Sequence, residues 1–153
     1  MSSIDLHEVT DSVLSDLDDL IASRGASVEV ADLPHVRGSA PLLERVVQNL
    51  VVNAINYGDP VEPRVRIEGG VRGGEVHVRV RDNGAGVVPD QRESIFDMFS
   101  RGDAGELAPG SGIGLAFARR VVARHGGTLT VSNGDDGGAC FTLVLPGRAT
   151  NDA

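Results

Sequence analysis

Apolar residues recur at three- and four-residue steps in three stretches of the chain. Leu6, Val9, Val13, Leu17, Leu20 and Ile21 predict a helix over residues 5–23, which Gly25 can stop by adopting positive φ. Leu43, Val47, Leu50 and Ala54 predict a second helix over 39–57, with Ser39 as its cap, Pro41 in its first turn and Gly58-Asp59-Pro60 as its end. A third helix is expected over 113–125, between a Gly-rich turn and Gly126-Gly127. A short one is expected over 90–99. Alternation of apolar and polar residues predicts strands over 64–68 and 75–81, and shorter strands are expected at 27–31, 128–132 and 139–145. Gly69-Gly70 through Gly73-Gly74 reads as one turn region, and residues 133–138 as another. Residues 101–109 have almost no apolar content and read as a mobile loop; the tail after Pro146 reads as frayed. Helices and strands segregate rather than alternate strictly. That order predicts an α+β fold, a two-layer α/β sandwich whose mixed sheet is covered on one face by helices.

Composition narrows the class. With 153 residues, 41% hydrophobic and 24% charged, the chain is expected to form one globular domain with a real core. Aromatics are 3%, so Val, Leu, Ile and Ala must supply that core. The formal charge of −8, from 22 acidic and 14 basic residues, argues against non-specific nucleic-acid binding. A single nucleotide is not excluded, because a local cluster can override the global sign. The lone Cys140 lies in an apolar run and reads as a small buried hydrophobe. His35, His77 and His125 are scattered without metal-ligand spacing. The N-terminus carries no signal-peptide pattern, and no run approaches the roughly 20 apolar residues of a membrane span. A cytoplasmic chain is expected.

Four segments can carry chemistry. Asn49 and Asn53 are four residues apart on one helical face and offer carboxamide oxygens, the ligand type Mg²⁺ prefers. Asp82-Asn83-Gly84-Ala85-Gly86 follows a strand. An ionised Asp accepts hydrogen bonds only, so it can select adenine's amine over guanine's carbonyl, while the glycines let backbone approach a flat base. Read alone, the same residues make an ordinary turn. Gly110-Ser111-Gly112-Ile113-Gly114-Leu115 precedes a helix, and Gly-rich backbone at a helix N-terminus suits a polyphosphate. No strand leads into it, so a dinucleotide-binding βαβ unit does not fit. In Ile95-Phe96-Asp97-Met98-Phe99-Ser100-Arg101, the two Phe rings can anchor one end of the following loop, leaving Arg101 free to meet phosphate.

In this order and spacing the segments resemble the N, G1, F and G2 boxes of histidine kinase catalytic domains, in the gyrase, chaperone, histidine kinase and MutL ATPase superfamily. The likeness spans roughly residues 42–146 and implies a Bergerat-type ATP-binding fold with a mostly antiparallel sheet. It implies ATP and Mg²⁺ as cofactors. Asn53 would ligate Mg²⁺, Asn49 would lie near the phosphates, Tyr57 beside the adenine, and Asp82 on the adenine amine with Gly84 and Gly86 shaping the floor. Arg101 would approach the phosphates. Gly110, Ser111, Gly112, Ile113, Gly114 and Leu115 would form the phosphate end of a lid over 102–109. Asn56 stands where many members carry a Lys contacting phosphate. The resemblance divides the chain into a linker helix and first strand (1–33) leading from a dimerisation domain, an ATP-binding catalytic domain (34–147) and a disordered tail (148–153).

Position 49 separates branches of that superfamily. Relatives that hydrolyse ATP or phosphorylate serine carry a Glu there as general base; a carboxamide cannot take a proton near neutral pH. A neutral histidine is already nucleophilic and needs positioning instead. The resemblance therefore implies transfer of the γ-phosphoryl group to a histidine on a separate dimerisation domain, with a response regulator downstream and catalytic roles for Asn49, Asn53 and Arg101. His7-Glu8 begins like the family's acceptor box, but Val9-Thr10-Asp11 does not continue it. A monomeric, cytoplasmic domain is expected, from a parent that is either soluble or membrane-anchored. The alternatives are an anti-sigma-type serine kinase and a nucleotide-sensing module without transfer activity.

Overall fold

The computed structural model describes residues 2–96, 112–134 and 137–147. Among the described residues, seven strands and four α-helices follow the order β1 (Ser2–Asp5), α1 (Leu6–Asp16), α2 (Asp18–Arg24), β2 (Ser27–Val30), β3 (His35–Gly38), α3 (Ala40–Tyr57), β4 (Arg64–Arg72), β5 (Glu75–Asp82), α4 (Gly112–Arg124), β6 (Thr128–Asn133) and β7 (Ala139–Pro146). Two 3-10 turns, Pro89–Gln91 and Ser94–Phe96, lie between β5 and α4.

Five strands form one sheet in the order β2-β4-β5-β7-β6. β2 runs parallel to β4, and the other three pairings are antiparallel. Alternation decides which face is covered. Val65, Ile67, Val76, Val78, Val80, Leu129, Val131, Phe141, Leu143 and Leu145 are buried under the helices. On the other face Glu68 gathers arginines, with Arg81 Nη2 at 3.0 Å and Arg66 Nε at 3.1 Å. The expected two-layer α/β sandwich is thus borne out: a mixed, mostly antiparallel sheet with helices on one face.

Helix α3 is the centre of the helical layer and packs against α1, α4, β4 and β5. Its start follows from sequence, because Ser39 Oγ accepts the Leu42 N–H and Pro41 sits in the first turn. Leu43, Val46, Leu50, Val51, Ala54 and Ile55 are almost fully buried. His125, just past α4, ties the two helices: Nε2 accepts the Ser39 N–H at 3.1 Å, so Nδ1 carries the proton and donates to the Val121 carbonyl at 2.9 Å. That places His125 in a structural role.

Four expectations need correction. The helix expected over 5–23 starts at Leu6, after Asp5 Oδ1 caps it through the His7 N–H, and breaks at Leu17. Leu17 stays buried through the break, so the apolar period runs on and conceals it. Strands β1 and β3 went unpredicted; each has four residues, and they pair antiparallel away from the main sheet. Gly69 and Gly70 are strand rather than turn: only Gly73 and Gly74 have positive φ, and they close a two-residue hairpin. The helix expected over 90–99 is two 3-10 turns as far as Phe96, and the rest of it lies outside the described residues, as do the 101–109 loop and the 148–153 tail. Cys140 is buried as expected, with Sγ 4.0 Å from Thr142 Oγ1. No helix among the described residues is long and apolar enough to cross a membrane.

Leu50 is 1% exposed in the middle of α3. Leu50→Ala is expected to lower unfolding stability by about 2–5 kcal/mol in urea titration, the range for leucine truncation in a packed core.

Candidate functional site

Steps of four and seven residues return to one face of a helix, so Asn49, Asn53 and Asn56 form a carboxamide row along α3. Asn53, in the middle, is 6% exposed, unusual for a carboxamide. Asn49 Nδ2 donates to the Gly114 carbonyl at 3.1 Å, tying the row to the first turn of α4. A Cβ on Gly114 would stand 3.3 Å from the Asn49 amide, so glycine permits this approach. Asn56 Oδ1 accepts from Arg24 Nη1 at 2.9 Å. Tyr57 closes the helix and is 49% exposed.

The turn after β5 meets the end of α3. Asp82, the last residue of β5, is 4% exposed. Its Oδ1 accepts the Gly84 N–H at 2.8 Å and the Ala139 N–H at 3.1 Å. Gly84 crosses directly over the Tyr57 carbonyl, where a Cβ would collide with that oxygen. Gly86 takes φ +82°, and a Cβ there would lie 2.6 Å from the Gly137 carbonyl. The Asp-Asn-Gly signal therefore marks a turn whose carboxylate is built into the body of the domain, and both glycines are steric requirements.

The structure brings together Asn49, Asn53, Asn56, Tyr57, Asp82, Gly84, Gly86 and Gly114 around the α3 face and the β5 turn. Leu115 is buried in the core at the start of α4, and Gly112 and Ile113 open that helix. Arg101, Gly110 and Ser111, and the 102–109 lid, lie outside the described residues.

Several residues here escaped sequence reasoning. Asn83 is a clamp: its Oδ1 accepts the Asp59 and Arg64 N–H groups at 3.0 and 2.9 Å, and its Nδ2 donates to the Glu62 carbonyl. Gly138 passes so close to Asp82 that a Cβ would overlap the Asp82 carbonyl oxygen. Asn133 Oδ1 accepts the Val87 N–H at 2.8 Å and so fixes the chain leaving the turn. Arg119 of α4 grips Glu93 through both terminal nitrogens, Nη1 and Nη2, at 3.0 and 3.2 Å, and its guanidinium carbon lies 4.1 Å from the Phe96 ring centroid. Phe96 in turn meets Phe141 edge-on at 6.0 Å. The expected anchoring role of Phe96 thus has a visible partner in the sheet; Phe99 lies outside the described residues. The only available signals were a turn-forming Asn, a glycine at a strand start and a helix-surface Arg, each of which has an ordinary reading.

Two outcomes follow. Gly84→Ala must displace Tyr57 or the turn, and is expected to lower thermal stability by about 1–3 kcal/mol. Gly70→Ala, with nothing within 4 Å of its Cβ, is the matched control and should be far milder. The Arg119 hydrogen bond, and then its charge, hold the Glu93 carboxyl below its ordinary value of 4.5. A lowered folded value means that the contribution is full above pH 4.5 and is lost as pH falls through the folded value. The difference in thermal stability between wild type and Glu93→Gln should therefore close over that acid window and stay constant above it.

Comparison with known proteins gives a consistent answer. The family model described as histidine kinase-, DNA gyrase B- and HSP90-like ATPase matches residues 38–149. The chain is 41% identical over 143 residues to the sensor protein KdpD of Escherichia coli, covering 92% of this chain and 16% of KdpD. It is 36% identical over 152 residues to the sensor-like histidine kinase SenX3 of Mycobacterium tuberculosis, covering 95% of this chain and 36% of SenX3. The chain thus spans well under half the length of these curated relatives. Among solved structures, the mycobacterial sensor histidine kinase MprB superposes with a TM-score of 0.81 at 31% identity, over 96% of this chain and 99% of that one. Full-length ShkA, solved in complex with AMPPNP, superposes at 0.80 with 26% identity, over 95% of this chain and 30% of that one. A glycine-shaped turn carrying a buried acid, beside a helix with a carboxamide row, sits inside that matched fold: the chain belongs to the histidine kinase-, DNA gyrase B- and HSP90-like ATPase family, as an ATP-binding domain of the histidine kinase type.

Proposed function

We propose that this domain holds Mg-ATP for transfer of the γ-phosphoryl group to a histidine carried on a dimerisation domain outside residues 34–147, with a response regulator as the later acceptor. The observation that carries the reading is position 49. Its carboxamide is engaged with the Gly114 carbonyl and has no basic site with which to activate water or a hydroxyl. Such a site orients a nucleophile that is already reactive, and a neutral imidazole meets that need.

The remaining roles are assigned by chemistry. Asp82 is fixed by backbone N–H groups on Oδ1, and we assign its Oδ2 to the amine of adenine. Gly84 and Gly86 keep side chains off the floor, and Tyr57 lies at the rim, where a partly exposed ring can pack against a base. Asn53 fits Mg²⁺, because its carboxamide is buried on the inner row and the ion takes oxygen ligands while keeping several waters. Bound there, the ion would neutralise phosphate charge. Asn49 and Asn56 flank it. Gly110, Ser111, Gly112, Ile113, Gly114 and Leu115 are assigned to the phosphate end, where the first N–H groups of α4 suit anionic oxygens. Arg101 is assigned to the phosphates on the same grounds of charge. Residues 1–33 are assigned to the connection from the dimerisation domain and 148–153 to a tail. A cytoplasmic site follows from this use of ATP.

Incubated with ATP and a separately made histidine-containing dimerisation domain, the chain is expected to yield acid-labile phosphate on that domain. Acid-stable phosphoserine would refute the assignment. Asp82→Asn can keep an oxygen toward Gly84 and Ala139 while turning a donor toward the adenine amine. It is expected to lower the ATP affinity of the folded protein at least about tenfold, measured well below its melting temperature. Unchanged affinity would remove Asp82 from the adenine contact.

A further inference from the structure

We infer that Arg24 is a positioning residue for the nucleotide site, acting through Asn56 and the last turn of α3; the inference rests on the nucleotide reading above. Helix α3 has no basic residue in its last turn, and its C-cap, Gly58, is extended rather than left-handed. The final carbonyls and the negative end of the helix dipole therefore need partners from elsewhere. Arg24 supplies one from another helix. Its Nη1 donates to Asn56 Oδ1 at 2.9 Å and its Nη2 points to the Ile55 carbonyl at 3.4 Å. A planar guanidinium can hold both acceptors at once; an ammonium has no such fork.

The position of that last turn matters because there is no slack beyond it. Gly84 lies against the Tyr57 carbonyl, so a shift of Tyr57 moves against the turn that carries Asp82. The chain that follows Arg24 is itself held. Gly25 follows at φ +62°, the Ala26 N–H donates to the Ile21 carbonyl at 3.0 Å, and the Ser27 N–H donates to the Pro63 carbonyl at 3.0 Å as β2 begins. The guanidinium thus reaches the end of the carboxamide row from a fixed base, and sets a positive charge beside Asn56 in a chain whose formal charge is −8. A chain contact that merely stabilised α3 would leave the affinity of the folded protein unchanged. A contact that sets the end of the row would not.

The test is calorimetry of Mg-ATP with the whole chain, well below the melting temperature, for wild type, Arg24→Ala, Arg24→Lys, Asn56→Ala and the Arg24→Ala/Asn56→Ala pair. Arg24→Ala is expected to weaken binding about tenfold, Arg24→Lys to recover part of that, and the double variant to lose clearly less than the two single losses combined, since the two side chains share a contact. Wild-type affinity in Arg24→Ala, whatever its melting temperature, overturns the inference and leaves the nucleotide reading standing. So do strictly additive losses. Should Arg24→Ala fail to fold, the comparison passes to Arg24→Lys, and wild-type affinity there together with wild-type affinity in Asn56→Ala overturns the inference in the same way. A wild-type chain that binds no Mg-ATP overturns the nucleotide reading, and this inference with it.

Discussion

One oxygen of Asp82 ties two distant stretches of the domain together. It accepts the N–H of Gly84, two residues on, and the N–H of Ala139, fifty-seven residues on. Hydrogen bonds to an ionised group contribute roughly 1.5–3 kcal/mol each, and leaving such a charge buried without them costs more. The β5 turn and the start of β7 are therefore fixed relative to each other by the same carboxylate that the turn presents. The close passages of Gly84 over Tyr57 and Gly138 over Asp82 follow from this arrangement, since no side chain fits at either crossing. The acid is thus set in place by the fold itself, and little of it is left to reorganise when a ligand arrives.

Helix α3 turns that local constraint into a site. Its apolar residues are wide enough in register to pack against α1, α4 and the sheet together. Beside the apolar residues runs a row of three asparagine carboxamides, Asn49, Asn53 and Asn56. Each end of the row is tied to a different element: Asn49 to the first turn of α4, Asn56 to Arg24 of α2. Phosphoryl transfer asks a protein chiefly for position and charge stabilisation, which a row pinned at both ends suits. The lack of a base at position 49 then bears on which acceptor such a site can serve.

How much of this was legible in the sequence depended on the range of the interactions involved. Helix α3 was legible almost to the residue, because its cap, its proline and its apolar period are local signals. The Asp82 turn and the strands around it were legible for the same reason. Strands β1 and β3 were not, since four residues carry too little alternation to stand out. The break at Leu17 was invisible because the burial pattern continues through it, and Gly69-Gly70 misled because glycine marks turns more often than strand interiors. Within the site, Asp82, Gly84 and Gly86 could be named from motif spacing. Arg24, and the roles of Asn83 and Gly138, could not, since their partners at Asn56, Arg64 and Asp82 lie 32, 19 and 56 residues away and only the folded chain brings them close.

The proposal on which the other assigned roles depend is that the Asp82 carboxylate reads adenine beside the end of α3. Calorimetric titration of the wild-type chain with Mg-ATP and Mg-GTP under identical conditions tests it most directly. ATP is expected to bind, and GTP to bind at least about a hundredfold more weakly, because guanine presents a carbonyl oxygen to a group that can only accept. Equal affinity for the two nucleotides would contradict it.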